Sequence, residues 1–220
     1  MSDYDFEPVR GLPQRLPPAE ALLWQGSPRW RSLAVRAFHV RKVALYFGLL
    51  AIWCVASASA DGKGFWDALL SAAWVPLGLV AAVAPLTLLA WLTERTTVYT
   101  VTSRRLVMRV GIALPITINI PFRMIDAVAL KRHGDGSGDI PASIAKECRV
   151  AFLVLWPHAR PWLVRNPQPM LRAIPDAERV ARIIVEAISA STAQVAHQAP
   201  DQARDRAARP VEPVAVPVAA

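Results

Sequence analysis

The sequence predicts a membrane α-hairpin of two transmembrane helices joined to a small all-β barrel of about seven strands, capped by one C-terminal α-helix. Three observations carry that reading. Two long stretches hold no charged residue, 18 residues at 43–60 and 26 at 68–93. From residue 94 the chain changes to short alternating β-branched runs with turn residues between them. One amphipathic stripe then closes the patterned region near residue 189.

Composition agrees. Of 220 residues, 54% are apolar and 19% charged, against about 45–50% and about 25% in ordinary soluble domains. Such a chain is neither a disordered polar protein nor a wholly water-soluble enzyme. Its net charge of +8 suits an anionic surface, which means membrane lipid or nucleic acid. The basic residues crowd beside an apolar run, so lipid is expected and nucleic acid is not. Cys54 and Cys148 form no CxxC pair, which fits a reducing cytoplasmic face rather than a disulfide framework.

The elements follow in order. Residues 1–26 read as an extended N-terminal cytoplasmic segment. Residues 27–42, SPRWRSLAVRAFHVRK, interleave basic side chains with Trp30, Leu33, Val35 and Phe38, the pattern of an interfacial helix. At 1.5 Å per residue the first uncharged run spans about 27 Å, close to the roughly 30 Å of a bilayer core. It is not a cleavable signal peptide, because 42 mostly polar and basic residues precede it. The second run reaches about 39 Å as helix, enough to cross with tilt, and Pro76 and Pro85 can kink it. The short connection 61–67, DGKGFWD, makes the two spans antiparallel and is the expected periplasmic loop. Seven basic residues lie in 1–42, and Arg95, Arg104, Arg105 and Arg109 follow the second span. Positive residues stay inside, which puts both termini in the cytoplasm of a bacterial inner, intracytoplasmic membrane.

Residues 94–190 form the β domain. Thr96–Thr102, Leu106–Val110 and Ile116–Ile120 alternate apolar and polar positions. Runs at 124–132, Asp139–Ala145, Val150–Trp156 and Gln168–Ala173 complete seven candidate strands. The closing helix spans 176–189: Pro175 suits the first helical position, and Val180, Ile183, Ile184, Ala187 and Ile188 share one face. The Ala/Pro-rich remainder, 191–220, reads as a disordered tail.

Chemistry-bearing motifs are missing. There is no nucleophile elbow, Walker loop, HExxH or dinucleotide fingerprint, so neither an enzyme nor a cofactor is expected. Gly134–Gly138 lacks the ending of a phosphate loop and reads as a hairpin turn. Asp135 and Asp139 lack EF-hand spacing, and the four histidines and two cysteines lack metal-ligand spacing. The spans carry no Asp, Glu, Lys, Arg or His, which argues against a transporter. His39 could ligate a chlorophyll-type pigment near an interface. Without a second ligand at a fixed offset, an interfacial histidine among basic neighbours is the preferred reading. Trp156 and Trp162 flank Pro157 and Pro161, a rigid aromatic loop that serves either docking or packing. Trp24, Trp30 and Phe38 stand among Arg29, Arg31, Arg36 and Arg41. Aromatic and arginine side chains dominate protein-binding hot spots, so these seven are the candidate partner or membrane-interface residues.

One family resembles this chain. Phe6–Pro13, Arg15–Pro17, Leu23–Pro28 (LWQGSP) and Arg36–Ala44 (RAFHVRKVA) are similar to the N-terminal block of the PuhB family, assembly proteins for the photosynthetic complex of purple bacteria. Tyr99–Val107 (YTVTSRRLV), Gly111, Ile120–Phe122 and Gly136–Ile140 resemble a bacterial PH-like domain. The likeness covers about residues 5–190. It implies a PH-like barrel and a non-enzymatic role in building the reaction centre and core light-harvesting antenna (LH1), whose subunits become the expected partners beside anionic lipid and further copies of the chain. No catalytic or cofactor residue carries over. The competing expectation is a membrane-anchored PH-like lipid-sensing or scaffold protein unrelated to photosynthesis.

Overall fold

The computed structural model describes residues 11–12, 14–145, 152–161, 163, 165 and 167–208. Two helical stretches, Val40–Ala60 and Phe65–Thr96, are long and apolar enough to cross a membrane. Only 6% and 11% of their most apolar windows are buried within the protein, whereas the core helix of a soluble domain hides most of its surface.

The first stretch is one helix. A short helix, Trp30–Arg36 (α1), precedes it, and Val40–Ala60 (α2) follows after a break at His39, whose φ is 54°. The continuous interfacial helix expected over 27–42 is therefore two segments joined by a left-handed residue. The turn between the stretches is shorter than the expected loop, because a helix Phe65–Ser71 (α3) starts directly after Gly64. It stops at Ala72, and Val75–Thr96 (α4) restarts with a proline in its first turn, where the missing N–H costs nothing. Pro85 lies inside α4, and nearby the Thr87 hydroxyl donates to the carbonyls of Val83 and Ala84 at 2.9 Å.

Among the described residues the β domain has eight strands in two open four-stranded sheets, where a barrel of about seven was expected. Leu22–Gly26 (β1), Val98–Thr102 (β2), Arg105–Val110 (β3) and Ile116–Pro121 (β4) form an antiparallel sheet in that order. Ile125–Val128 (β5), Lys131–Arg132 (β6), Ser137–Ile144 (β7) and Met170–Pro175 (β8) form the second, with β7 pairing all three others. The strand β1 lies in the segment expected to be merely extended. It pairs with β2 across the whole hairpin, Gly26 opposite Tyr99 and Trp24 opposite Val101. Just before it, the buried Glu20 accepts two hydrogen bonds from Arg105, at 2.7 and 2.8 Å. Burial pushes the Glu20 carboxyl up, but hydrogen bonds from Arg105 and Thr102 and the charges of Arg105 and Arg104 together outweigh it and hold the carboxyl below its ordinary value.

The tight β3–β4 connection depends on Gly111. Its φ is 118°, and a Cβ there would lie 2.1 Å from the Leu114 carbonyl oxygen. Two further expectations change. The described part of the 150–156 run is a helical turn, Phe152–Leu155 (α5); residues 150 and 151 lie outside the described residues. The last helix, Ala177–Ala208 (α6), starts after Pro175, which ends β8, and Asp176, whose φ is 51°. It also continues well past 190, into the segment expected to be a disordered tail. Residues 191–199 hold no proline or glycine and several Ala and Gln, which sustain a helix. Residues 209–220 of that tail lie outside the described residues.

The main core sits between the sheets under α6. Tyr99, Val101, Leu106, Met108 and Ile120 face Ile140, Leu171 and Ile174, and the stripe Val180, Ile184 and Ala187 closes the stack. Ile183 and Ile188 pack at its margin, half-buried.

Candidate functional site

A second, smaller core joins the domain to the hairpin. Leu33 and Ala34 of α1, with Phe38, pack against Ala90 of α4 and Ala173 of β8. Ala173 has φ 50°, a left-handed conformation that costs an alanine about 1–2 kcal/mol. Its backbone repays that locally: its N–H donates to Asp139 Oδ1 and its carbonyl accepts from the Arg29 N–H, both at 2.9 Å. The strained residue is thus the point where the domain clasps the segment leading into α2.

A polar clasp lies beside it. The Ser32 hydroxyl donates to Asp135 Oδ2, and the Ser137 hydroxyl donates to Asp135 Oδ1 at 2.7 Å. The Arg36 guanidinium approaches Asp135 to 3.5 Å. These hydroxyl bonds, with Arg36 assisting, hold the Asp135 carboxyl well below the usual carboxylate range. The glycine-rich 133–138 turn is therefore a hairpin turn, as expected, with the added task of binding α1.

Behind this clasp, between the foot of the hairpin and the domain, opens a cavity of about 770 Å³. Arg36, His39 and Lys42 line it from the hairpin side, and Lys131, Arg160 and Arg172 from the domain. Phe152, Trp156 and Met170 supply apolar wall. Trp156 is half exposed and meets the Phe38 ring edge-on, with centroids 5.8 Å apart. Asp139 is the one carboxylate among the lining residues. It is buried, and its second oxygen lies 3.0 Å from His133 Nε2.

Deeper in the domain, a histidine absent from the interface prediction organises a buried network. His158 is 1% exposed. The Tyr99 hydroxyl lies 2.6 Å from its Nδ1, and Thr97 Oγ1 lies 3.3 Å from its Nε2. The Tyr99 oxygen also accepts from the Arg172 N–H at 3.3 Å, so its own proton donates to Nδ1. The neutral tautomer with hydrogen on Nε2 satisfies every group. Burial, with Arg172 nearby, pushes the His158 pKa down to about 3, and burial likewise raises the Tyr99 phenol.

The seven expected interface residues separate into distinct places. Arg36 lines the cavity, as does His39 from outside the seven, but Phe38 is buried in the smaller core. Trp24 sits in β1 and packs against the main core, its ring over Gly26. Trp30 starts α1 with the Arg31 guanidinium 5.4 Å from its ring centroid. Arg29, Arg31 and Arg41 are exposed. Of the two Trp residues in the 156–162 loop, Trp162 lies outside the described residues. Sequence reading missed Lys42, Lys131, Arg160 and Arg172, which lie up to 130 residues apart in the chain and show no shared spacing. Cys54 is a free thiol, Cys148 lies outside the described residues, and no metal-like cluster of side chains occurs among the described residues.

The fold defines a class, and comparison with known families agrees: the Bacterial PH domain model matches residues 42–188. The chain belongs to that family. It is 42% identical over 190 residues to an "uncharacterized 23.7 kDa protein in puhA 5'region" of Rhodobacter capsulatus, covering 86% of this chain and 88% of that one. No solved structure gives a significant match.

Proposed function

We propose that this chain is a membrane-anchored, non-enzymatic assembly factor of the PuhB type, acting on the photosynthetic reaction centre and its core antenna. One observation carries the reading: the 42% identical relative is named for its place beside puhA, a photosynthesis gene region. The likeness of the N-terminal block to the PuhB family points the same way.

The membrane location rests on surface chemistry. Leu45, Leu49, Ile52 and Trp53 of α2, and Leu77, Val80 and Leu88 of α4, are all exposed. In water that apolar surface would drive aggregation, whereas in a bilayer it is matched. Arg29, Arg31, Arg41, Lys42 and Arg95 collect at the end where α2 begins and α4 ends, the cytoplasmic end by the charge rule. The β3–β4 tip lies at that end too, because Val98, two residues beyond the end of α4, pairs with Arg109, and Val110 pairs with Ile116. Its Leu114 is 78% exposed, flanked by exposed Ile112 and Ile116, a profile suited to the headgroup boundary. Subunit contact then falls to the outward side of α1, where Trp30, Arg31 and Val35 reach solvent.

A tagged full-length chain, extracted in mild detergent from photosynthetically growing cells, tests this by mass spectrometry of what is retained. Enrichment of reaction-centre or core-antenna subunits over an untagged strain is the expected result. Recovery of those subunits at background level would overturn the reading.

A further inference from the structure

We propose that the cavity at the foot of the hairpin is a phosphate-ester site that takes the headgroup of an anionic membrane phospholipid. Its lining is strongly basic. Arg36, Lys42, Lys131, Arg160 and Arg172 line it against a single carboxylate, Asp139. That carboxylate is already engaged by the Ala173 N–H and by His133. Arg36 reaches the Asp135 carboxylate at 3.5 Å, and the other four form no ion pair among the described residues. Arg160 donates to the neutral Gln168 side chain at 3.0 Å, and Arg172 to the Pro157 carbonyl at 2.8 Å. Lys42 and Lys131 have no ion-pair partner among the described residues. The Arg36 Nε is buried without a hydrogen-bond partner. Lys42, Lys131 and Arg160 are exposed and reach an anion without rearrangement of the core, and the buried Arg36 Nε is a donor that gains a partner when one arrives. A phosphate offers oxygens to several donors at once, and the arginine fork matches it in two-point contact.

Shape and place select the source. A volume of about 770 Å³ suits a headgroup of small-molecule size. The apolar wall of Phe152, Trp156 and Met170 suits the glycerol and first acyl carbons rather than a free, fully hydrated ion. Lys42 is the third residue of α2, so the site lies at the depth where the hairpin leaves the hydrocarbon. Basic pockets at that level hold anionic headgroups. An acidic protein segment is less well served by a concave pocket at that depth. The proposal rests on the membrane reading of the hairpin and not on the assembly role, so its failure would leave the co-purification result untouched.

Native mass spectrometry of the detergent-solubilised full chain tests it, with phosphatidylglycerol, phosphatidylcholine and soluble glycerol phosphate as probes. Parent protein should retain phosphatidylglycerol in preference to phosphatidylcholine. The pair Lys131→Gln and Arg160→Gln, both on the domain side, should weaken phosphatidylglycerol about tenfold or more with an unchanged thermal transition. Lys63→Gln, in the turn at the far end of the hairpin, should leave it unaltered. Equal retention of the two lipids, or equal loss in the Lys63 variant, would overturn the site. Displacement of the lipid by an equal concentration of glycerol phosphate would keep the phosphate-ester assignment and overturn the lipid source.

Discussion

Replacing Ile184 by Asp is expected to abolish the cooperative unfolding transition of the PH domain. Ile184 is 1% exposed and sits in the stripe by which α6 closes the space between the two sheets. The substitution removes an isoleucine's packing, worth about 2–5 kcal/mol in a core, and leaves a carboxylate with no cationic partner there. The sum reaches a large part of the roughly 5–15 kcal/mol that stabilises a typical domain. Thermal unfolding of the detergent-solubilised full chain, followed by near-ultraviolet circular dichroism, measures it. Val185→Asp, one position along and half exposed, should leave the transition near the parent's. A parent-like transition for Ile184→Asp would mean that α6 does not seat on the core.

The second large effect is a dependence on pH. His158 is held neutral in the folded domain, with its pKa pushed from 6.5 down to about 3. The unfolded chain therefore binds the proton more readily. Stability is full above pH 6.5 and is lost as pH falls from there towards the folded value. Between pH 7.5 and 5.5 this one residue costs about 1.4 kcal/mol, and a further pH unit costs as much again. Protonation also turns Nδ1 into a donor facing the Tyr99 hydroxyl, which already accepts from the Arg172 N–H. Urea unfolding at the two pH values should show the loss in the parent protein. His158→Gln should begin less stable but vary less with pH, and an undiminished dependence in that variant would assign the effect to other groups.

What could be read from the chain alone was whatever depends on neighbours in sequence. The uncharged runs, the alternation in β2, β3 and β4 and the stripe of α6 are local periodicities, and each corresponds to an element of the fold. The strand β1 was illegible because its partner β2 lies some 75 residues away, beyond the whole hairpin. The helical turn α5 carries the apolar run Phe-Leu-Val-Leu, which periodicity cannot tell from a buried strand. The break at His39 is set by tertiary packing: Phe38 must turn inward to Ala90 and Ala173 while α2 departs along the hairpin. The basic character of residues 29–42 was visible, but the pocket was not. Three of its five cations come from β6, β8 and the 156–161 loop, and only the pairing of β7 with β6 and β8 gathers them.

The proposed role makes this chain necessary for building photosynthetic complexes. Reaction-centre and core-antenna absorbance per cell, compared between a strain lacking the gene and its complemented parent, tests it most directly. A selective fall in assembled complex is expected in the deletion strain, with pigment synthesis maintained and absorbance restored by complementation. Normal accumulation of both complexes in the deletion strain would contradict it.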